Sequence, residues 1–474
     1  MKRYEQLAEL LANDIRSGKF PAGTRLPSVR TIVRQHEVSP STVFQAYYRL
    51  ENLGLVRARE RSGYFVTSTG GAALPEPETA SAPRLSPAVD INSLVFSVLE
   101  ATQDRDILPL GSAFASPKLF PLKRLAKSLA STARFIDPWE TVASLAPGHW
   151  PLRQQIALRY LAMGMPQPPE HIVITNGAIE ALNLCLSAVA GPGDVVAIES
   201  PGFYAAAQAL ERLKMKALEI PIHPKRGIDL GALAQAIEQH SVKACWFMTN
   251  FQNPMGTTMS DADKQALVAL LEQHQIPLIE DDVYGELYFG ARPPLPAKAY
   301  DRAGLVMHCS SFSKSLAPGY RIGWVAPGRF GKKIEQLKLM TTLSASVPAQ
   351  VALADYLQNG GYDKHLRKLR YTLESQLSQM SEAIRRYFPE NVRVTKPSGG
   401  YFLWVEFSEN VDTLALHQLA AQEGISITPG PIFSASRQYR NSIRLNYGAP
   451  WNDDCEAGMR LLGQLILSLE GKSR

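Results

Sequence analysis

Between residues 172 and 312 short apolar runs alternate with helical stretches, and this alternation constrains the fold more than any other feature of the chain. Ile172-Val173-Ile174-Thr175 precedes a helical pattern from Ile179 to Val189, and Val195-Val196-Ala197-Ile198 precedes another from Ala205 to Leu213. Ala244-Cys245-Trp246-Phe247-Met248 precedes Ser260 to His274, which Pro277-Leu278-Ile279 follows, and Leu305 to Cys309 closes the series. Short β-rich runs separated by helices need crossover connections, so the spacing predicts an α/β fold with a mostly parallel sheet covered on both faces. Ligands bind such sheets at the carboxyl ends of the strands. The segments there are Asn176-Gly177-Ala178, Glu199 to Tyr204, Asn250 to Gly256, Glu280 to Tyr284 and Ser310 to Lys314. All five are expected to converge on one site.

These loops carry matched chemistry. Ser310-Ser311-Phe312-Ser313-Lys314, followed by Gly319-Tyr320-Arg321-Ile322-Gly323, offers an amine for an aldehyde, and hydroxyls with a guanidinium for a phosphate. Gly177 lets the backbone approach an anion, and the N–H groups of Gly177, Ala178 and Ile179 open a helix whose dipole favours phosphate. Asp281 can pair with a pyridinium nitrogen, Asn253 and Tyr284 can donate to a phenolate oxygen, and Phe203 or Tyr204 can stack on the ring. Each motif alone is common background: Asn-Pro-x-Gly is often just a β-turn and Asp-x-x-Tyr a capped turn. Their joint occurrence, in order and each after a strand, carries the reading.

With Asn253-Pro254-x-Gly256, Asp281-x-x-Tyr284, Ser311-x-x-Lys314 and Arg321 in Gly-Tyr-Arg-Ile-Gly, residues from about 108 to the C-terminus resemble the class I/II aminotransferases. The resemblance implies a fold-type I pyridoxal 5'-phosphate-dependent transferase, with a large lobe holding the sheet and a small α+β lobe. It implies that Lys314 carries the cofactor, and that Gly177, Ala178, Ile179, Phe203, Asn253, Asp281, Tyr284, Ser311 and Arg321 surround it. Ser442-Ile443-Arg444-Leu445-Asn446-Tyr447 resembles the family segment whose arginine binds a substrate carboxylate, and that role is carried to Arg444. One departure stands out. The family often has a tyrosine in Tyr-Gly-x-x-x-Gly that reaches a neighbouring subunit's phosphate, and Thr141 to Gly148 contains none.

The front of the chain is a separate module. Tyr4, Leu7, Leu11 and Ile15 recur at helical spacing; Ser28 is placed to cap a second helix, and Ser39, with Pro40 at the first helical position, a third. Leu55 to Arg59 and Tyr64-Phe65-Val66 form two strands around Arg61-Ser62-Gly63. Helices, a tight turn and a hairpin predict a winged helix-turn-helix. Residues 1–66 hold eleven Lys and Arg against six Asp and Glu, so +5 of the chain's formal +6 sits here, as phosphate neutralisation on nucleic acid requires. Leu26-Pro27-Ser28-x-Arg30, Val38-Ser39-x-Ser41-Thr42-Val43 and Ser62-Gly63-Tyr64-Phe65-Val66 resemble the GntR-type head. By resemblance Arg30, Ser39, Ser41, Thr42 and Arg61 face double-stranded DNA, with Gly63 at the wing tip. Pro40 stands where the family commonly has an arginine.

The whole layout resembles the MocR-type GntR regulators. It implies a head over 1–67, a flexible Pro/Ala/Gly-rich linker over 68–88, and an aminotransferase-like effector and dimerisation body over 89–474. Cys185, Cys245, Cys309 and Cys455 are too widely spaced for a zinc motif, so no metal is expected and reduced thiols in a cytoplasmic protein are. No apolar run is long enough to span a bilayer, so no membrane partner is expected. The expected partners are an operator, a small amine or amino-acid effector, and a second copy in a head-to-tail homodimer with exchanged heads. The leading function is a transcription factor sensing an amino compound or pyridoxal phosphate through a Schiff base at Lys314. The alternatives are an active aminotransferase with an accessory DNA-binding head and a DNA-binding protein whose body only dimerises.

Overall fold

The computed structural model describes residues 3–16, 19–20, 24–53, 55–59, 63–66, 74–77, 82–86, 91–100, 107–359 and 361–471. The head consists of helices Arg3–Arg16, Val29–His36 and Pro40–Asn52 and a hairpin pairing Val56–Arg59 with Gly63–Val66. Its start signals work as read: the Ser28 and Ser39 hydroxyls accept the Thr31 and Thr42 amides, satisfying N–H groups that have no helical turn before them. Leu7, Leu11, Ile15, Ile32, Val43, Tyr47, Leu50, Val56 and Val66 bury together as a core of their own.

The body is built on a nine-stranded sheet among the described residues. Across it run Arg84–Ser86, Lys216–His223, Val195–Ser200, Val242–Phe247, Leu278–Asp281, Val306–Ser311, Gly323–Ala326 and Val173–Thr175, and Gly227–Ile228 pairs with the second of these. The five strands from Lys216–His223 to Val306–Ser311 are mutually parallel. Gly323–Ala326 runs against both its neighbours, which turns Val173–Thr175 back to the common direction. The loops after residues 175, 200, 247, 281 and 311 therefore leave at one end of the sheet, as expected. Helices Ala178–Val189, Tyr204–Arg212, Leu230–Gln239 and Asp261–Gln273 cover it, and two apolar clusters fill the layers. A second, antiparallel sheet of four strands, with Phe402–Glu406 and Ser442–Asn446 at its centre, forms the small lobe.

One expectation needs correction. Residues 68–88 are not a free tether in their described parts. The Val394 amide donates to the Pro75 carbonyl, Glu76 pairs with Lys225 and Lys396, and Arg84–Ser86 adds an antiparallel strand to the large sheet. Composition marked the stretch as a linker because backbone pairing along a sheet edge asks little of the side chains. Within the single chain the Tyr371 hydroxyl, on helix Gly361–Tyr387, donates to the Tyr48 carbonyl at 3.2 Å.

The close approach of Gly323 to Gly177 locks the antiparallel strand to the phosphate-type loop, since a Cβ at 323 would stand 2.5 Å from the Gly177 carbonyl carbon. Gly323→Ala is expected to lower stability by roughly 1–3 kcal/mol, as overpacking against backbone does. Urea unfolding of the variant beside the unaltered chain measures it.

Candidate functional site

At the carboxyl end of the sheet the five loops enclose a cavity of about 280 Å³. Ala178, Ile179, Phe203, Tyr204, Asn253, Asp281, Tyr284, Ser311, Lys314 and Arg321 all line it. Gly177 lies just behind: it takes a left-handed φ of 80°, and a Cβ there would meet the Arg321 guanidinium at 2.4 Å. Only glycine permits both. Its own N–H donates to the Thr175 carbonyl at 2.9 Å, so it offers space rather than a donor. The Ala178 and Ile179 amides, in the first turn of their helix, remain as the anion-facing donors. Arg321, itself at φ 52°, donates to the Ser313 hydroxyl at 3.1 Å.

The polar groups at the other end of the cavity are buried. The Asp281 carboxyl is raised to about 7, first by burial and then by neighbouring Asp282. Its Oδ1 is buried and has no hydrogen-bond partner in the protein. An orphaned acceptor beside a cavity is what a protonated ring nitrogen would satisfy. Lys314 is lowered to about 7, first by burial and then by Arg444. Its ammonium donates to the Ala113 carbonyl at 2.8 Å and lies 3.9 Å from the centre of the Phe114 ring. Asn253 Oδ1 accepts from Arg444 at 3.1 Å; a guanidinium can only donate, so the Asn253 Nδ2 hydrogens are left for another acceptor. Tyr284 is fully buried and its hydroxyl stays protonated, able to donate. Phe203 and Tyr204 both line the cavity wall, ring centres 4.9 Å apart. The residues present therefore fit a phosphorylated pyridine aldehyde.

Arg444 lies below this wall, 1% exposed and stacked 4.1 Å from the centre of the Phe402 ring. Its hydrogen-bond acceptors are Asn253, the Gly111 and Ser112 carbonyls and the Thr428 hydroxyl, and its Nε has none. No carboxylate is among them. Sequence reading did not find Ala113, Phe114, Gln208, Met248, Val283 or Ser313, which also line the cavity. Ser313 lay within the quoted Ser-rich pentad, whereas Ala113 and Phe114 belong to a loop with no periodic signal.

On the head, Arg30 is exposed on the second helix, and Ser39 and Ser41 are exposed at the start of the third with Thr42 half-buried. The Ser39 hydroxyl bonds both the Ser41 and Thr42 hydroxyls at 2.8 Å, so it is a cap as much as a free reader. Gly63, at φ 92°, stands at the hairpin with the Arg25 side chain against it. Arg61 lies outside the described residues.

Comparison with known proteins agrees with both halves. Residues 142–457 match the family "Aminotransferase class I and II" and residues 3–66 match "Bacterial regulatory proteins, gntR family". The chain belongs to both families. The uncharacterised HTH-type transcriptional regulator YdcR of Escherichia coli is 47% identical over 98% of this chain and 99% of its own length. The aromatic-amino-acid aminotransferase 1 of Thermococcus litoralis is 29% identical over 79% of this chain and 91% of its own. Among solved structures, LysN, an α-aminoadipate aminotransferase of Thermus thermophilus, superposes with a TM-score of 0.73 at 27% identity, covering 81% of this chain and 96% of that one. The chain is thus a MocR-type GntR regulator, a winged helix-turn-helix joined to a fold-type I aminotransferase body. No helix among the described residues is long and apolar enough to cross a membrane, and no cluster of His, Cys, Asp and Glu among them could hold a metal.

The two shifted groups give opposite pH dependences. From its ordinary 3.8 up to about 7, Asp281 keeps a proton in the folded chain that the unfolded chain has lost, so stability falls as pH rises. From about 7 to its ordinary 10.5, folded Lys314 has shed a proton that the unfolded chain still holds, so stability rises with pH. In protein stripped of bound small molecules, Lys314→Met is expected to abolish the rise above neutrality and to stabilise at pH 7 by roughly 1–4 kcal/mol, as replacing a buried charge does. Urea midpoints across the two windows check both signs.

Proposed function

We propose that this regulator binds pyridoxal 5'-phosphate at Lys314 and senses an amine-bearing small molecule there, passing the result to its DNA-binding head. The observation that carries the reading is the convergence of a half-neutral lysine, an unpartnered buried Asp281 oxygen and an anion cradle of Ala178, Ile179, Ser311 and Arg321 on one cavity. When bound, the cofactor supplies an aldehyde for reversible attachment of amines and a ring that withdraws electrons. The protein's own residues do the rest. Lys314, with an affinity for protons near neutrality, presents a free amine without a separate base. Asp281 holds a ring-nitrogen proton at its orphaned Oδ1. Asn253 and Tyr284 donate to a ring oxygen, and Phe203, with Tyr204 beside it, covers a ring face. Arg444, buried without a carboxylate, receives the carboxylate of an amino-acid effector.

DNA binding rests on the head. Arg30 is exposed and free of any ion pair among the described residues, and Ser39 and Ser41 are exposed at the start of the third helix. A homodimer is supported by an exposed apolar band: Phe135 is 86%, Trp139 76% and Met340 79% exposed, with Val142, Leu145 and Leu343 beside them. The Ala146 amide, donating to the Leu343 carbonyl, ties its two segments together. A monomer rarely leaves this much aromatic surface in water, and the band adjoins Glu180, one turn into the helix that opens the anion cradle.

The purified protein with pyridoxal phosphate is expected to show the visible absorbance of lysine-bound cofactor, and Lys314→Ala to lose it while remaining folded. If Lys314→Ala binds and bends its operator as the unaltered protein does, with and without a panel of amines, the body is not a sensor. Steady turnover of an amino acid with a keto acid by the unaltered protein would favour the aminotransferase reading. Arg30→Ala is expected to weaken binding to every DNA sequence and to reduce the salt slope by about one counterion, read from titrations at several salt concentrations.

A further inference from the structure

A short strap lines the cavity at Ala113 and Phe114 and accepts hydrogen bonds from two buried cations, Lys314 and Arg444. Its ends are fixed. At one end the Asn446 amide donates to the Leu110 carbonyl, and Gly111 lies so close to Ile427 that a Cβ would stand 2.7 Å from backbone. At the other end Ala115 is buried, and the Ser116 amide donates to the Gly448 carbonyl at 2.8 Å. Between them the tip Ser112–Phe114 lies on the surface, with Phe114 42% exposed. The tip is closed on itself by the Ser112 hydroxyl, which bonds both the Phe114 amide and its carbonyl at 3.0 Å.

What holds the tip down is a set of backbone carbonyls. Ala113 accepts from Lys314 at 2.8 Å and from the Tyr401 hydroxyl at 3.3 Å. Ser112 accepts from Arg444 at 3.3 Å. The Asn446 side-chain amide donates to the Ser112 carbonyl at 2.7 Å and the Phe114 carbonyl at 2.8 Å, and is the one group that grips the tip twice. Asn446 is two residues along the same strand from Arg444, so both side chains leave the same face. Arg444 thus meets only neutral acceptors. A carboxylate makes hydrogen bonds to a guanidinium about twice as strong as a neutral carbonyl does, and in bidentate form.

We propose that the tip Ser112–Phe114, clasped by Asn446, is an internal competitor for Arg444, and that a ligand carrying a carboxylate releases it whereas a plain amine does not. This rests on the cofactor-site reading above. A ligand without a carboxylate leaves the Ser112 carbonyl on Arg444 and the Asn446 clasp intact. A carboxylate takes Arg444 from the Ser112 carbonyl, and the clasp must open to clear the space. Asn446 is then a positioning residue that sets the discrimination between the two ligand classes, because the strap's hold is subtracted from the affinity of one class only.

The test uses the full chain and two stable probes that differ by one group: N-(5'-phosphopyridoxyl)-L-leucine and N-(5'-phosphopyridoxyl)-3-methylbutylamine, the same adduct without the carboxylate. Asn446→Ala removes two hydrogen bonds from the tip and is expected to tighten the leucine adduct about tenfold, while the amine adduct changes by less than about twofold. Ser112→Ala, which loosens the tip without touching Asn446, should move the affinities in the same direction. In the unaltered protein, amide hydrogens of residues 112–116 should exchange faster with the leucine adduct than with the amine adduct. Equal shifts for the two probes, or weaker binding of the leucine adduct to both variants, would overturn the proposal while leaving the cofactor site standing. Binding of neither probe to the unaltered protein would remove the cofactor reading itself, and this inference with it.

Discussion

Burial of unlike charges at one end of a parallel sheet is the constraint on which the rest of this body depends. Asp281, Lys314 and Arg444 are all withdrawn from water, and no two of them form a direct ion pair. Burial disfavours the charged form of each, so the lysine and the carboxyl both approach neutrality near pH 7. Groups left in that condition are poised for a partner that supplies the missing charge or hydrogen bond. The packed apolar layers beneath keep the cost from being relieved by collapse: Ile279, Met307, Cys309 and Phe312 are all essentially inaccessible.

Behind Asp281 a second buried network fixes where charge can sit. Asp282 accepts from Asn250 and from His308 Nε2, each at 3.1 Å. His308 Nδ1 lies 2.7 Å from the Tyr160 hydroxyl, which itself accepts from the Trp324 indole at 2.9 Å. An indole N–H can only donate, so the arrangement with every hydrogen bonded has Tyr160 donating to Nδ1 and the Nε2–H of His308 donating to Asp282. Asp282 is thereby held as an acceptor next to Asp281, and its charge is the second cause, after burial, of the raised Asp281 carboxyl. A carboxylate so placed strengthens the preference of Asp281 for a partner that brings a proton.

The head and the body obey different economies. The head is small, with one buried cluster and sharply marked helix starts, and local signals were enough to describe it: hydroxyl caps at Ser28 and Ser39, proline after the second cap, glycine at positive φ in the hairpin. The body buries polar groups over long separations. Glu219, for example, is gripped by Ser200 and, across more than two hundred residues, by Ser434, Ser436 and the Ala435 amide, contacts that no local pattern announces. The same is true of the segments that join head and body. Arg84–Ser86 became a sheet strand because an edge was available, and nothing in its composition says so.

The sequence by itself determined five strands of the large lobe and three of the helices between them, their mostly parallel direction, the five loops and the chemistry each loop carries, whereas Lys216–His223, Gly323–Ala326 and helix Leu230–Gln239 went unread. Apolar period and turn residues are properties of neighbours in the chain, and crossover geometry then forces the loops to one end. Only the tertiary structure decided how the site's groups use their hydrogen bonds. It turned the Gly177 amide toward Thr175, spent the Asn253 oxygen on Arg444 and set Gly177 and Gly323 back to back beside the Arg321 guanidinium. It also brought the Gly111–Phe114 strap over Lys314 and Arg444, residues some two hundred and more than three hundred positions away. Hydrogen-bond allocation in a buried site depends on which donors and acceptors meet in space, and that meeting is settled by the packing of the two lobes.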